Sequence, residues 1–425
     1  MHATAATEPA RKPERARPKA PPVGVVIFAN EKEPSEGGWA CVDGGTPFTV
    51  TQAADLPSNV LWVTNTDWME FNAQGYNRIH NLRRVNFFRT PLKQIAADIG
   101  LSLDGANAST SIVPLSSVCA RAARIADDAY RWRTDPFSTD SLADEIKASM
   151  PPDVPPIRIL IPQLLAAYQK DSSVRCPWVS DTVYVTLRCN RAQYAQKILS
   201  TPIPDDAWEE IPGHLLPESD KDRLEFALNS ERPVLAEVMV DVADTDPDEA
   251  NLVAFGSNFG KRMPIRKWVS HIELLWLARF AHVKIHSLWL SAAYRGLSEA
   301  YHLPSILTED PYIALSYSAG LVAENHLQCL SSDYYTRSSR IPGNNYEVTA
   351  RAVWLRAADR AQSFLLAKRV VEAGFYVSGY QMGSVMCRAR RSDLTKLAEF
   401  CLAEGLMSPS IDQMMALYGD GDAPG

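Results

Sequence analysis

The apolar positions along the chain change period several times, and each change predicts an element. "VGVVIFAN" from Val23 is β-branched and apolar almost without interruption, which predicts a buried strand. "WACVDGGTPFTVTQ" from Trp39 alternates around Asp43-Gly44-Gly45 and predicts a hairpin, and "VLWVT" from Val60 predicts a further strand. Together these residues make a small N-terminal sheet. The period then lengthens. "TPLKQIAADIG" has Thr90 to cap a helix, Pro91 for its first turn and Gly100 to stop it, and "SVCARAARIADDAYRW" from Ser117 is alanine-rich with helical spacing. "STDSLADEIKASM" predicts a short helix that ends at the proline cluster "PPDVPP" of residues 151–156.

A second loose stretch, residues 201–217, precedes a capped helix over residues 219–229. Farther on, Ile265, Trp268, Val269, Ile272, Leu275, Trp276 and Phe280 recur at three and four, which predicts one helix with a broad apolar face. "EDPYIALSYSAGLVAENHLQCL" has Asp310 as a cap and Pro311 in the first turn. Its small residues, Ala314, Ser316, Ser318, Ala319, Gly320 and Ala323, predict a central buried helix that other backbones approach closely. Residues 347–373 predict a long helix stopped by Gly374, "FYVSGYQMGSVMCRA" a pair of strands, and "SDLTKLAEFCLAEG" a final helix. The fold class expected is α+β and mainly α-helical, with a small N-terminal β-sheet and a helical C-terminal half. Four regions are expected: residues 1–22, a disordered basic proline-rich arm; 23–150, an N-terminal α+β region; 151–217, a proline-rich connecting or protruding region; and 218–425, a helical region.

A hydrophobic fraction of 46% with 22% charged residues over 425 positions is globular, with roughly two or three domains' worth of chain. The greasiest stretch, from Ile272, is broken by Arg279, His282, Lys284 and His286, so no membrane span is expected. No apolar segment follows the N-terminal charges, so no secretory signal is expected and the protein is placed in the cytosol. Seven scattered cysteines without a C-x-x-C pair read as free thiols in a reducing compartment.

Charge adds one contrast. The formal net charge is −7, yet "TEPARKPERARPKAPP" at residues 7–22 is cationic. Arg11, Lys12, Arg15, Arg17 and Lys19 are therefore the candidate nucleic-acid-binding residues: the segment cannot bury apolar area, stays extended, and can meet phosphates without reading sequence. Other basic clusters are Lys261, Arg262, Arg266 and Lys267; Arg337 and Arg340; and Arg388, Arg390 and Arg391. With Tyr334, Tyr335 and Trp268 nearby in sequence, they could hold a backbone and stack bases.

Catalytic and cofactor motifs fail one by one. "GSNFGKR" at residues 256–262 has three residues between its glycines where a phosphate loop needs four, and Arg262 replaces the hydroxyl that holds magnesium. Asp244, Asp246 and Asp248 alternate like calcium ligands, but Glu249 and Phe255 stand where the loop's glycine and bidentate glutamate belong. His282 and His286 lie four apart, within reach of one zinc ion on a helix, without a third ligand. "SYSAG" around Ser318 lacks the first glycine of a nucleophile elbow and lies within a helix. No catalytic residue, metal or cofactor is predicted, and the chain is expected not to be an enzyme.

"PPVGVVIFANEKEPSEGGWACVD", "VLWVTNTDWMEFNAQGYNRIHNLRRVNFFRTPL" and "LTEDPYIALSYSAGLVAENHLQCL" resemble capsid proteins of fungal double-stranded RNA viruses, nearest the partitiviruses of the gamma group. The resemblance covers most of the chain after the arm and rests on length and texture. It implies a coat protein that dimerises and builds an icosahedral shell around a double-stranded RNA segment and a viral RNA-dependent RNA polymerase. Residues 218–425 would then form the shell, the arm would bind packaged RNA non-specifically, and the protein would reside in virions and host cytoplasm. No position carries over as a functional residue. Two alternatives stand beside it. One is a nucleic-acid-binding or replication protein of a mobile element, and the other an enzyme assembled from dispersed residues such as Asp241, Asp244, Asp246, His282 and His286.

Overall fold

A computed structural model describes residues 21–66, 68–79, 81–84, 90–103, 108–130, 162–168, 173–174, 176, 178–205, 207–242, 252, 265–296, 302–309, 311–332, 334–336, 346–407 and 414–415. The cationic arm to residue 20, the helix expected over 138–150 with its proline cluster, and the glycine-lysine loop of residues 256–262 lie outside these residues.

The N-terminal strands are β1 (Val23–Phe28), β2 (Gly38–Val42), β3 (Phe48–Val50), β4 (Leu61–Thr64) and β5 (Leu82–Arg84), in the order β3-β2-β1-β4-β5. β2 returns antiparallel to β1, whereas β4 runs parallel to it and β5 parallel to β4. Every residue of β1 is buried, because the sheet is covered on both faces. Val23, Val25, Ile27, Leu61 and Val63 pack with Ile112, Leu115 and Cys119, while Val26, Phe28 and Trp62 pack with Phe71 and Leu82. The Trp62 ring occupies the space that a side chain at Gly24 would take, so only glycine fits there.

The short helices α1 (Trp68–Ala73) and α2 (Leu92–Asp98) precede α3 (Ala108–Tyr130). α3 begins nine residues before the expected Ser117 and passes through Pro114. Proline removes one helical hydrogen bond, and the fully buried Ile112 and Leu115 on either side offset that loss. The chain continues through α4 (Pro162–Tyr168), β6 (Thr182–Arg188), α5 (Arg191–Leu199), β7 (Ile203–Pro204), β8 (Trp208–Glu210), α6 (Asp220–Leu228) and β9 (Val234–Asp241). Ser219 caps α6 as expected, its side chain accepting from the Asp222 amide.

The helix expected over 265–280 is in fact a strand and a helix, β10 (Ile265–Ser270) and α7 (His271–Phe280). Ser270 and Glu273 form a capping box that fixes the switch point, and β10 pairs antiparallel with β9 from Ile265 opposite Val240 to Ser270 opposite Leu235. After α7 comes β11 (His282–Ser291), so the two histidines lie on a strand. β12 (Tyr294–Arg295) follows and pairs with β7. The sheet order β10-β9-β11-β8 draws an edge strand from the stretch that reads as loose in sequence.

The remaining helices are α8 (Pro311–Ala314), α9 (Tyr317–Ser331), α10 (Ala350–Glu372) and α11 (Leu394–Ala403), with β13 (Tyr334–Thr336) and β14 (Tyr346–Val348) paired before α10. The expected helix from Pro311 is interrupted at Ser316, whose side chain caps α9 by accepting from the Ala319 amide. α9 is the central buried helix its small residues predict, and Gly320 packs against the Arg191 side chain. α10 runs through three core clusters: Trp354 and Val353 join the indole-rich core near β8, Leu355 and Ala358 the core beneath β1, and Phe364, Ala367 and Val370 the core beneath the C-terminal hairpin. That hairpin is β15 (Tyr376–Gln381) and β16 (Ser384–Arg390). The molecule is α+β, with a small N-terminal sheet and a mainly helical C-terminal half.

Candidate nucleic-acid interface

β15, β16 and β6 form an antiparallel sheet in the order β15-β16-β6. Their sequences alternate, and alternation divides the side chains between two faces. The apolar phase turns inward: Val185, Leu187, Val377, Val385, Cys387 and Ala389 are buried among residues of α10 and α11, and Val183 packs half-buried against them. The other phase of β6 and β16 carries Tyr184, Thr186, Arg188, Met386, Arg388 and Arg390 on the opposite face.

Register assembles this face from segments far apart in the chain. Arg388 lies directly opposite Tyr184 on one side and Tyr376 on the other, so one row across the sheet reads Tyr376, Arg388, Tyr184. The Arg388 guanidinium carbon sits 4.9 Å from the centre of the Tyr184 ring, a cation–π contact. Tyr184 nevertheless remains 60% exposed. Met386 pairs with Thr186 in the next row, and the exposed Arg390 pairs with Thr182. A bulge in β15 between Val377 and Gly379 is closed by Ser378, whose hydroxyl donates to the Met386 carbonyl at 3.1 Å.

Both ends of the sheet are anchored. At the hairpin turn, Met382 and Gly383 have φ of 51° and 63°, the left-handed pair that a tight two-residue turn requires. The Gly383 amide donates to Ser363 Oγ at 3.1 Å, and a side chain on Gly383 would stand 2.6 Å from the Tyr194 ring. Tyr194 in turn donates to Asp359 Oδ1 at 2.6 Å. Burial raises the Asp359 carboxyl above its ordinary range, outweighing the hydrogen bonds from Tyr194 and the Met382 amide that act in the other direction. At the far end, the Arg391 amide donates to the Asp181 carbonyl at 3.2 Å, and Arg391 Nε lies 3.3 Å from the Asp181 carboxylate. Trp178, 82% exposed, stands just before this end of β6.

Beside the hairpin end, a charge cluster neutralises itself. Asp98 takes Arg188 at 3.2 Å, Arg191 at 2.9 Å and the Tyr317 hydroxyl at 2.7 Å, while Glu324 takes Arg191 at 2.6 Å. Burial works against the Arg191 charge, but Glu324, Tyr317 and Asp98 overcome it and push its pKa upward. Arg188 and Arg191 are thus committed to structure, and Arg388 and Arg390 lie farther along the same face.

The residues singled out in sequence are distributed as follows. Arg11, Lys12, Arg15, Arg17 and Lys19 lie outside the described residues, as do Asp244, Asp246, Asp248, Lys261, Arg262, Arg337 and Arg340. Asp241 ends β9 directly opposite His282, with His286 farther along β11 at a bulge. Arg266 holds Glu237 through two 2.7 Å contacts, and Trp268 packs against the core near Trp354. Ser318 donates to the Val118 carbonyl at 3.0 Å and is a packing residue. Arg388 does reach an aromatic ring, but that ring is Tyr184, with Tyr376 opposite in register, and Arg390 lies across from Thr182. The signal for Tyr184 lay in "TVYVTLR", where an aromatic residue occupies the polar phase of an alternating strand.

No known protein family's profile matches the chain, and no curated protein matches it. Solved structures of Phi29 DNA polymerase do match. The ternary complex with primer-template DNA and incoming nucleotides has a TM-score of 0.39 and 12% identity, over 87% of this chain and 80% of that one. The same polymerase complexed with single-stranded DNA gives 0.41 and 10%, over the same shares. Likeness at this level carries no activity across to this chain.

These matches correct the expectations attached to the coat-protein resemblance. The matched chains are DNA polymerases, enzymes rather than coat proteins. The capsid assignment, the dimer-built icosahedral shell, the enclosed viral polymerase and the expectation of a non-enzyme are therefore withdrawn. Texture misled because length, strand content and a basic arm are shared by many unrelated folds, and no residue had anchored the likeness. Of the expected partners, nucleic acid alone has a counterpart in these matches, whose complexes hold primer-template or single-stranded DNA.

Proposed function

We propose that this chain is a nucleic-acid-binding protein and that the open face of the β15-β16-β6 sheet is its contact surface. The observation that carries this reading is the Tyr376, Arg388, Tyr184 row, with Arg388 stacked 4.9 Å over a ring that is 60% exposed. An exposed aromatic ring and a guanidinium in one row supply the two interactions a nucleic acid offers everywhere along its length: base faces to stack and phosphates to neutralise. Arg390, two residues along β16, extends the cationic side of the face. The net charge of −7 repels phosphate overall, so contact is local to this face, with Arg11, Lys12, Arg15, Arg17 and Lys19 of the arm adding non-specific phosphate contacts.

The test is fluorescence anisotropy of labelled DNA and RNA oligonucleotides with the full chain across a salt series. Saturable binding that weakens with salt is expected. Arg388→Ala with Arg390→Ala should flatten the plot of log affinity against log salt by about 1.4–1.8, since each phosphate contact adds about 0.7–0.9 to that slope. Absence of saturable binding at low salt, or an unchanged slope in the double variant, overturns the proposal.

A further inference from the structure

We infer that the occupant of this face is a single strand, laid across the β-strands with separate bases on Tyr184 and Tyr376. The inference rests on the nucleic-acid reading above and adds the form of the ligand. Three features point to it.

The first is what the row offers. Base faces are hidden inside a duplex and are available for aromatic stacking only where the strand is unpaired. A protein that met only a duplex backbone would have no use for an exposed aromatic side chain, and Tyr184 is 60% exposed. The second is spacing. Neighbouring strands lie about 4.8 Å apart, so the Cα atoms of Tyr184 and Tyr376, separated by β16, stand about 10 Å apart. Stacked bases advance only about 3.4 Å per nucleotide in one strand of a duplex. Bases that reach both rings must leave their stack, which a single strand does at small cost and a duplex does not. The third is chemistry between the rings. Arg388 fills the middle of the row in contact with Tyr184, where its planar guanidinium can itself lie against a base. Arg390 pairs with Thr182 beyond it, where the sugar-phosphate chain of the same strand passes. Two other polar residues of this face, Thr186 and Arg188, are turned to Gln94 and to Asp98.

The experiment compares a 20-nucleotide oligothymidine with a 20-base-pair mixed-sequence duplex, each labelled and titrated with the full chain and with Tyr184→Ala, Tyr184→Phe and Tyr376→Leu. Tighter binding of the single strand is expected. Tyr184→Ala should weaken it by about 5- to 150-fold, the range for loss of one stacked base, while Tyr184→Phe, which keeps the ring, stays within about twofold. Tyr376→Leu should weaken the single strand as well, and neither change should move duplex affinity. Tyr184 is exposed, so Tyr184→Ala should leave the melting curve unchanged.

If the duplex binds as tightly as the single strand, or Tyr184→Ala has no effect while Arg388→Ala and Arg390→Ala still weaken binding, the single-strand inference falls and the nucleic-acid reading stands. If neither oligonucleotide binds, both fall.

Discussion

Replacing Arg360 by methionine probes the junction on which the helical half is built. Arg360 is buried on α10, and its Nε lies 2.9 Å from Glu273 Oε1 while Nη2 donates to the Ala167 carbonyl at 3.1 Å. Glu273 is fully buried at the start of α7, where its other oxygen accepts from the Ser270 amide at 3.1 Å and hydroxyl at 3.2 Å. One guanidinium thus joins α10, α7 and α4. Methionine keeps most of the aliphatic stem, so little cavity is made, but the buried Glu273 carboxylate loses the Arg360 guanidinium that faces it. Breaking a buried pair from one side costs about 3–5 kcal/mol, a large share of the 5–15 kcal/mol typical of a whole fold. Urea unfolding followed by tryptophan fluorescence is the assay, because Trp276 on α7 and Trp354 on α10 are both buried and report the junction directly. Adding Glu273→Gln removes the buried charge that faced Arg360 and keeps an acceptor for the cap, so the double variant should recover more than half of the loss. An Arg360→Met variant within about 1 kcal/mol of the parent, the scale of an exposed pair, would refute the reasoning. So would a double variant no more stable than the single one.

Gly383 and Gly405 share a φ of 63°, but a side chain would meet the Tyr194 ring at Gly383 and nothing within 4 Å at Gly405. Gly405→Ala should therefore cost only the left-handed penalty of about 1–2 kcal/mol, and Gly383→Ala about 1–3 kcal/mol more; equal unfolding midpoints would contradict this. Asp359 has a carboxyl raised above its ordinary 3.8 by burial. A raised folded value favours the protonated form, so its stabilising contribution is complete below about pH 3.8 and is lost as pH rises through the folded value. Asp359→Asn cannot titrate, and urea midpoints measured from pH 4 to 8 should slope downward less in the variant than in the parent. Parallel profiles would sink that account.

Elements governed by local chemistry could be read from the sequence. The run from Val23 is a strand because nothing in it suits a surface, and Gly374 stops α10 because it adopts a φ of 91°. The segment from Ile265 to Phe280 misled because apolar residues three and four apart also fit an edge strand followed by a helix. What decides between them is a Ser-x-x-Glu cap, present in the sequence, together with a partner strand that is not local. The candidate interface depends on such distant pairing throughout. Nothing near Arg388 in sequence announces Tyr184, and only the register between β6 and β16 sets the guanidinium on that ring. Basic clusters were visible, but which of them would find exposed rings and which would be consumed by carboxylates was not. Arg266 went to Glu237, Arg188 to Asp98 and Arg391 to Asp181, while Arg388 met the Tyr184 ring.

The place of β1 also has a mechanical side. It is the middle strand of its sheet, bonded to β2 on one edge and β4 on the other, with the Leu61 amide donating to the Pro22 carbonyl just ahead of it. A pull on the cationic residues that precede Val23 is applied along both ladders at once. The bonds must shear together instead of opening one after another from an end. A load applied ahead of Val23 would therefore be shared by both ladders of β1, where a strand at the rim would peel away.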